Sequence, residues 1–496
     1  MQSLNRRQFL VLSASSAGAV LLSQCSRGQT QTVPKAPLSL PKLYTSKDGL
    51  LDLELEASYR QVNLDGKPTN LLSYNGQVPG PRLEAKPGDI VRIRFKNNLS
   101  DPTNIHYHGL HIPPTGNADD VFRRIDSGES ALYEFSIPQQ HPGGIAYYHP
   151  HLHGYVADQI LGGLGGMFIV RGALDEIPEI QAAEQTFLFL KDFVVEQRQP
   201  MMGRMAGREG DLVTVNGQVN PSFSIPAGGL ARLRLVNASN ARFYRLALEK
   251  HPLYLIATDG HPLSTPVEIQ ELLLSPGERA EVLVQGDQEA GQYRLLNLPY
   301  SRGQMGMMGG GMMRRDRGGP GMMGRGRMGP GMMEGNDQDS PQTLATLAYT
   351  GQVEPQSIPQ QLIEVETLPE PQTVRQFELD HGMVPGQGMV FLINGKSFDH
   401  QRIDTQVSLD TVEDWEVSNT GVMDHPFHLH TNPFQVIARN GQPVPYQAWK
   451  DTVLIPTGET VRIRIPFRDF PGKTVYHCHI LDHEELGMMG TIEMKA

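Results

Sequence analysis

The chain has 496 residues, 39% apolar and 20% charged, with 52 glycines and 37 prolines; this suits about three turn-rich, mainly β domains and excludes a peptide. Forty-three basic against 54 acidic residues leave a net charge of −11, so a phosphate backbone finds no basic surface and nucleic acid is excluded as a partner. The two cysteines, Cys25 and Cys478, stand at opposite ends, which excludes a disulfide framework.

The first segment, residues 1–30, opens Asn5-Arg6-Arg7-Gln8-Phe9-Leu10 and continues in small and apolar residues to about Ser23. It reads as a twin-arginine export signal, too short for the roughly 20 apolar residues of a membrane span. No later run is long enough either, so no transmembrane segment is expected. Such signals serve proteins exported already folded, often around a cofactor, and the periplasm is the expected compartment. Cys25 follows Leu21-Leu22-Ser23-Gln24, a loose likeness to a lipid-attachment motif, and lipidation there is the alternative. Cys478 is then the one cysteine left to an oxidising compartment, and it needs a chemical use.

Three segments next repeat one arrangement, an Asn-Gly turn followed by an alternating strand that ends in Asn. They run from Tyr74-Asn75-Gly76 to Asn97, from Val215-Asn216-Gly217 to Asn237, and from Ile393-Asn394-Gly395 to Asn419. Apolar residues alternate with Arg or Glu, one sheet face inward and one outward. The expectation is an all-β chain of three homologous β-sandwich domains, over 48–172, 173–350 and 360–496. The second is interrupted over 301–339, where ten of the 21 methionines lie among Gly, Arg and Pro. No element is predicted there. Its thioethers suit additional, labile Cu(I), soft ligands selecting a soft ion, and Met201, Met202 and Met205 extend the cluster.

Ten of the 17 histidines fall in four groups: His106 and His108; His149 and His151; His425, His428 and His430; His477 and His479 with His483. In extended backbone, residues two apart face one way. His477 and His479 therefore face one side and Cys478 the other, which predicts two metal sites back to back. Cys478, His483 and Met488, joined by His425, make the His2Cys set with a weak axial Met of a blue-copper centre. Eight imidazoles remain, more than one ion takes and without the thiolates of structural zinc.

These motifs, with Gln77-Val78-Pro79-Gly80-Pro81 after the first turn and Gly109 after His108, make the chain resemble the multicopper oxidases, the laccases and bacterial cuprous oxidases. The resemblance implies three cupredoxin-like Greek-key sandwiches and four copper ions. By motif, His425, Cys478, His483 and Met488 would hold type-1 copper and His106 and His428 type-2 copper. His108, His149, His151, His430, His477 and His479 would hold the type-3 pair, between the first and last domains. Glu484 is implied as a proton relay on the dioxygen side. For a second acid Asp119 and Asp120 compete, with Asn117 at the ungapped position. The implied partners are dioxygen and an easily oxidised donor, Cu(I) or a phenolic or aromatic compound, and the implied state is a monomer. An acid of the cuprous oxidases is replaced by Gly421, leaving Met423 to contribute to a donor site and Asp424 to orient a phenol. The competing expectations are a copper store or chaperone using the methionines alone, a copper-free structural envelope relative and a copper nitrite reductase. The other seven histidines suggest no site.

Overall fold

A computed structural model describes residues 36–195, 201–303, 340–384, 386 and 388–496. The export signal, Cys25 and nearly all of the methionine-rich segment lie outside the described residues. Three β-sandwiches follow one another, each with its own core. In each, a strand pairs in parallel with the Asn-terminated strand: Leu50–Leu64 with Ile90–Asn98, Glu184–Phe193 with Leu230–Asn237, and Thr373–Val384 with Thr411–Asn419. The next strand closes the pair antiparallel, Ser130–Ser136, Arg279–Gln285 and Thr460–Phe467 in turn.

The threefold sequence pattern has a matching set of bonds. Asn75, Asn216 and Asn394 adopt φ of 51°, 52° and 53°, and the glycines after them 70°, 76° and 71°. Two successive positive φ angles are what a hairpin turn of the primed type requires, hence Asn-Gly. Each turn asparagine accepts a backbone N–H from the opening strand of its own domain, Glu56, Phe189 or Glu378. The strand-ending Asn97, Asn237 and Asn419 are buried, and each donates Nδ2 to two carbonyls, among them those of Ile125, Leu274 and Ile455 at 2.9 Å. A buried amide with every bond made fixes where the chain leaves the strand.

The first sandwich begins earlier than 48, since Leu43–Thr45 pairs in parallel with Arg82–Ala85. Residues 353–363 lie along the second sandwich, where the Val353, Gln356 and Leu362 amides donate to Ala227, Gly228 and Ser264. No helix among the described residues is long and apolar enough to cross a membrane.

Candidate metal centres

Short strands of the first and third sandwiches carry the histidines. His106–His108 pairs with Gly144–His149, placing His106 opposite His149. His425–Leu429 pairs with Gly472–Cys478, placing His428 opposite His477 and Phe427 opposite Cys478. The two sheets meet so that His106 stacks on His430 and His108 on His428, both at 3.8 Å between ring centroids and 15° between planes. His151 and His430 each bring Nε2 to 3.1 Å from His477 Nε2. All eight imidazoles are thus gathered at the junction of the first and third sandwiches.

The tautomers follow from the acceptors around them. His149 Nδ1 donates to the Pro150 carbonyl (2.9 Å), His428 Nδ1 to that of Asp451 (2.8 Å) and His477 Nδ1 to that of Cys478 (2.9 Å). His108 uses Nε2 instead, 2.9 Å from Asp451 Oδ1. In each ring the other nitrogen is left as a lone pair, the form a metal ligand needs. His106 Nε2, His108 Nδ1, His149 Nε2, His428 Nε2, His430 Nδ1 and His479 Nδ1 are buried without a hydrogen-bond partner. Six orphaned nitrogens in one place are too costly to leave unmet, and they fit metal ions as their missing partners. Burial pushes His151 to about 4 and His106, His108, His149, His430 and His479 well below the ordinary imidazole pKa, so these six stand neutral.

The second centre lies behind Cys478. His425 Nδ1 is 3.4 Å and His483 Nδ1 3.8 Å from Cys478 Sγ, and the two nitrogens are 3.3 Å apart. Met488 is fully buried, its carbonyl accepting the Cys478 N–H and its amide donating to the His483 carbonyl. His483 rides on the five-residue helix Leu481–Glu485, stacked on Phe391 at 3.9 Å, with Nε2 3.3 Å from the Met205 carbonyl. Burial pushes the Cys478 thiol well up, so this thiolate needs a cation beside it.

Of the acids, Asp119 is fully buried with its carboxylate 2.9 Å from His106 Nδ1 and accepting the Tyr107 N–H. Asp120 instead accepts the Phe122 N–H at the surface, and Asn117 uses its carbonyl for the Glu134 amide. Glu484 is buried with Oε2 3.1 Å from His477 Nδ1 and Oε1 3.8 Å from His151 Nε2. Asp424 accepts Tyr300 Oη on one carboxylate oxygen and the Thr457 amide on the other. Met423 is 2% exposed within the third core, not on a donor surface.

Sequence reasoning missed Asp451. Its carboxylate takes His108 and both arms of Arg279, and its carbonyl takes His428. Burial opposes its ionisation, but the Arg279 guanidinium, with His108, holds it well below the usual carboxylate range. It sits in no motif, and no local signal marks it. Tyr147, whose hydroxyl is 3.0 Å from His479 Nε2, is a second such residue.

Multicopper oxidase family models match residues 56–174, 185–312 and 368–496, one to each sandwich. The chain is 28% identical to "Multicopper oxidase mco" of Staphylococcus epidermidis, over 86% of this chain and 84% of that one. It is also 29% identical to "Cell division protein FtsP" of Proteus mirabilis, over 99% of both. Among solved structures, the multicopper oxidase of Campylobacter jejuni, described as a metallo-oxidase, superposes with a TM-score of 0.79 at 29% identity, covering 95% of this chain and 97% of that one. McoA of Aquifex aeolicus gives 0.76 at 28%, covering 94% and 100%. Three matched domains, the shared fold and clustered histidines in the first and third sandwiches place this chain in the multicopper oxidase family.

Proposed function

We propose that the protein is an exported oxidase that takes electrons singly from Cu(I) or phenolic and aromatic donors and delivers four to dioxygen, forming water. The observation that carries this is Cys478, set among His425 and His483 while its chain neighbours His477 and His479 belong to the eight-imidazole cluster. When bound, one copper at Cys478 and three at the imidazoles would supply the one-electron and the four-electron chemistry. His425, Cys478, His483 and Met488 would hold the first, His106 and His428 the type-2 ion, and His108, His149, His151, His430, His477 and His479 the type-3 pair.

The chain's own residues then have defined tasks. Cys478 joins the two centres through the peptide bonds to its neighbours. Asp119 accepts the Nδ1 proton of His106 and so keeps Nε2 a ligand. Glu484, within reach of His477 and His151, is placed to hand protons to the dioxygen side. Electrons would enter at the edge of His425, flanked by Tyr300, Asp424 and Gly421; a Cβ built on Gly421 stands 3.7 Å from His425 Nε2. Met488, as a weak thioether ligand, would lower the potential of a copper held at that centre relative to an apolar residue, which would suit easily oxidised donors.

The full-length likeness to the FtsP proteins supports a second reading, a role in cell division without oxygen reduction. Copper loading and oxygen uptake decide between them. The copper-loaded chain should consume oxygen with Cu(I) and with a methoxyphenol; Cys478→Ser should lose both the blue charge-transfer band and turnover. Deleting 301–339 should abolish Cu(I) oxidation and spare the phenol. No uptake with either donor at full copper loading would overturn the oxidase reading.

A further inference from the structure

Arg302, a residue in no motif, follows the strand Gln292–Leu298 of the second sandwich and meets the chain beside each of the three ligands around Cys478. Its carbonyl accepts the Asp424 N–H at 2.8 Å, one residue before His425. Its Nη2 donates to the Gly207 carbonyl at 3.1 Å, two residues past Met205, whose own carbonyl lies 3.3 Å from His483 Nε2. Gly207 is also what admits the guanidinium: its φ is 77°, and a Cβ built there would stand 2.6 Å from Ile480 Cγ2 and 3.4 Å from Arg302 Nη1. With no side chain between them, the guanidinium and Ile480 are neighbours, and the Ile480 N–H donates to Cys478 Sγ at 3.4 Å.

The charge on Arg302 is largely kept. Nη1 and Nη2 donate to the Ala241 and Gly207 carbonyls, which are neutral acceptors. Glu209, 3.2 Å away, is shared with Arg242 at 3.1 Å. The side chain is 14% exposed, so salt screens it little. Burial is the main reason that the His425 pKa falls to about 3, that His483 falls well below its ordinary value and that the Cys478 thiol rises; the Arg302 charge pulls all three down, favouring the unprotonated forms that bind a cation.

Reduction of a bound copper ion by one electron removes one positive charge, so a fixed cation nearby favours the reduced form. On the reading that copper is held at Cys478, we propose that Arg302 sets the potential of that centre: its buried positive charge raises the reduction potential of an ion held by His425, Cys478, His483 and Met488. Arg302 is thus a positioning residue for charge, acting through the ligands without touching the ion. It opposes the lowering expected of Met488, and the balance of the two would decide how hard to oxidise a donor the centre accepts.

The test is made on the copper-loaded full chain without oxygen, its blue band equilibrated against the hexacyanoferrate couple. Arg302→Met should shift the equilibrium about tenfold toward oxidised copper, equal to about 59 mV for one electron, the size expected of one charge at an effective dielectric constant of about 20. Arg302→Lys, which keeps the charge, should stay within about twofold of the native value. Glu209→Gln removes a negative charge from the same cluster and should shift the equilibrium the other way, toward reduced copper, whereas mere loosening of the site would move Arg302→Met and Glu209→Gln alike. An unmoved equilibrium in Arg302→Met with its blue band intact, or shifts of one sign in Arg302→Met and Glu209→Gln, would overturn the proposal and leave the oxidase reading standing. If Arg302→Met loses the band, Glu209→Gln decides alone, and no shift there would overturn the proposal. Absence of the band from the unaltered chain at full copper loading would overturn the centre itself and this role with it.

Discussion

A histidine becomes a metal ligand when something else occupies its second nitrogen. For His149, His428 and His477 that partner is a backbone carbonyl, which mutation cannot remove, but for His106 it is the Asp119 carboxylate. Burial pushes the Asp119 carboxyl well above its ordinary range, with the Tyr107 N–H pulling the other way. A metal held by His106 would resolve the competition in favour of carboxylate and Nδ1–H. Asp119→Ala should therefore lower affinity for the ion at His106 and His428 by about 10- to 100-fold, while Asp120→Ala leaves it unchanged. Copper content and the type-2 electron paramagnetic resonance signal measure both, and loss in Asp120→Ala with none in Asp119→Ala would return the assignment to Asp120.

Strands were legible because alternation and Asn-Gly turns are local signals, and the same logic placed His477 and His479 on one face with Cys478 on the other. What alternation could not supply is contact between sheets. Asp451 meets His108 across 343 positions of sequence, and Met205 meets His483 across 278; neither has a motif of its own. The same holds of Lys191 in the strand Glu184–Phe193, which the period of two leaves unexplained. This lysine is 1% exposed, donating to the Ala238 carbonyl at 3.2 Å, and burial lowers its pKa to about 8, Asp192 working against the fall. A base whose folded pKa is depressed adds stability that is complete above the unfolded value, about 10.4, and is lost as pH falls through about 8. Relative to Lys191→Met, the native chain should therefore gain roughly 3 kcal/mol between pH 8 and 10.5. Denaturant midpoints of the pair across that range check it, and parallel curves would mean that Lys191 keeps its charge when folded.

At the scale of the whole chain, the imidazole cluster is a joint. It takes His106, His108, His149 and His151 from the first sandwich and His428, His430, His477 and His479 from the third, while the second sandwich supplies none. Without ions the facing lone pairs have no donor, and the interface is held by its remaining bonds: Asp451 to Arg279, Asp482 to Arg208 and Asn240, and Glu485 to the Gly154 and Val156 amides. The first two tie the third sandwich to the second, and the last ties it to the first, together with His108 to Asp451 and His111 to the Thr431 carbonyl and Asp469. Ions that bind the folded chain alone add about 4 kcal/mol for each site at 1,000 times its dissociation constant. Stripping copper by reduction and chelation should accordingly lower the melting of the first and third sandwiches together and leave that of the second nearly in place, splitting one calorimetric transition into two. Restoring copper should merge them again. A single transition at one temperature, with or without copper, would mean that the cluster bears no ion that matters to the fold.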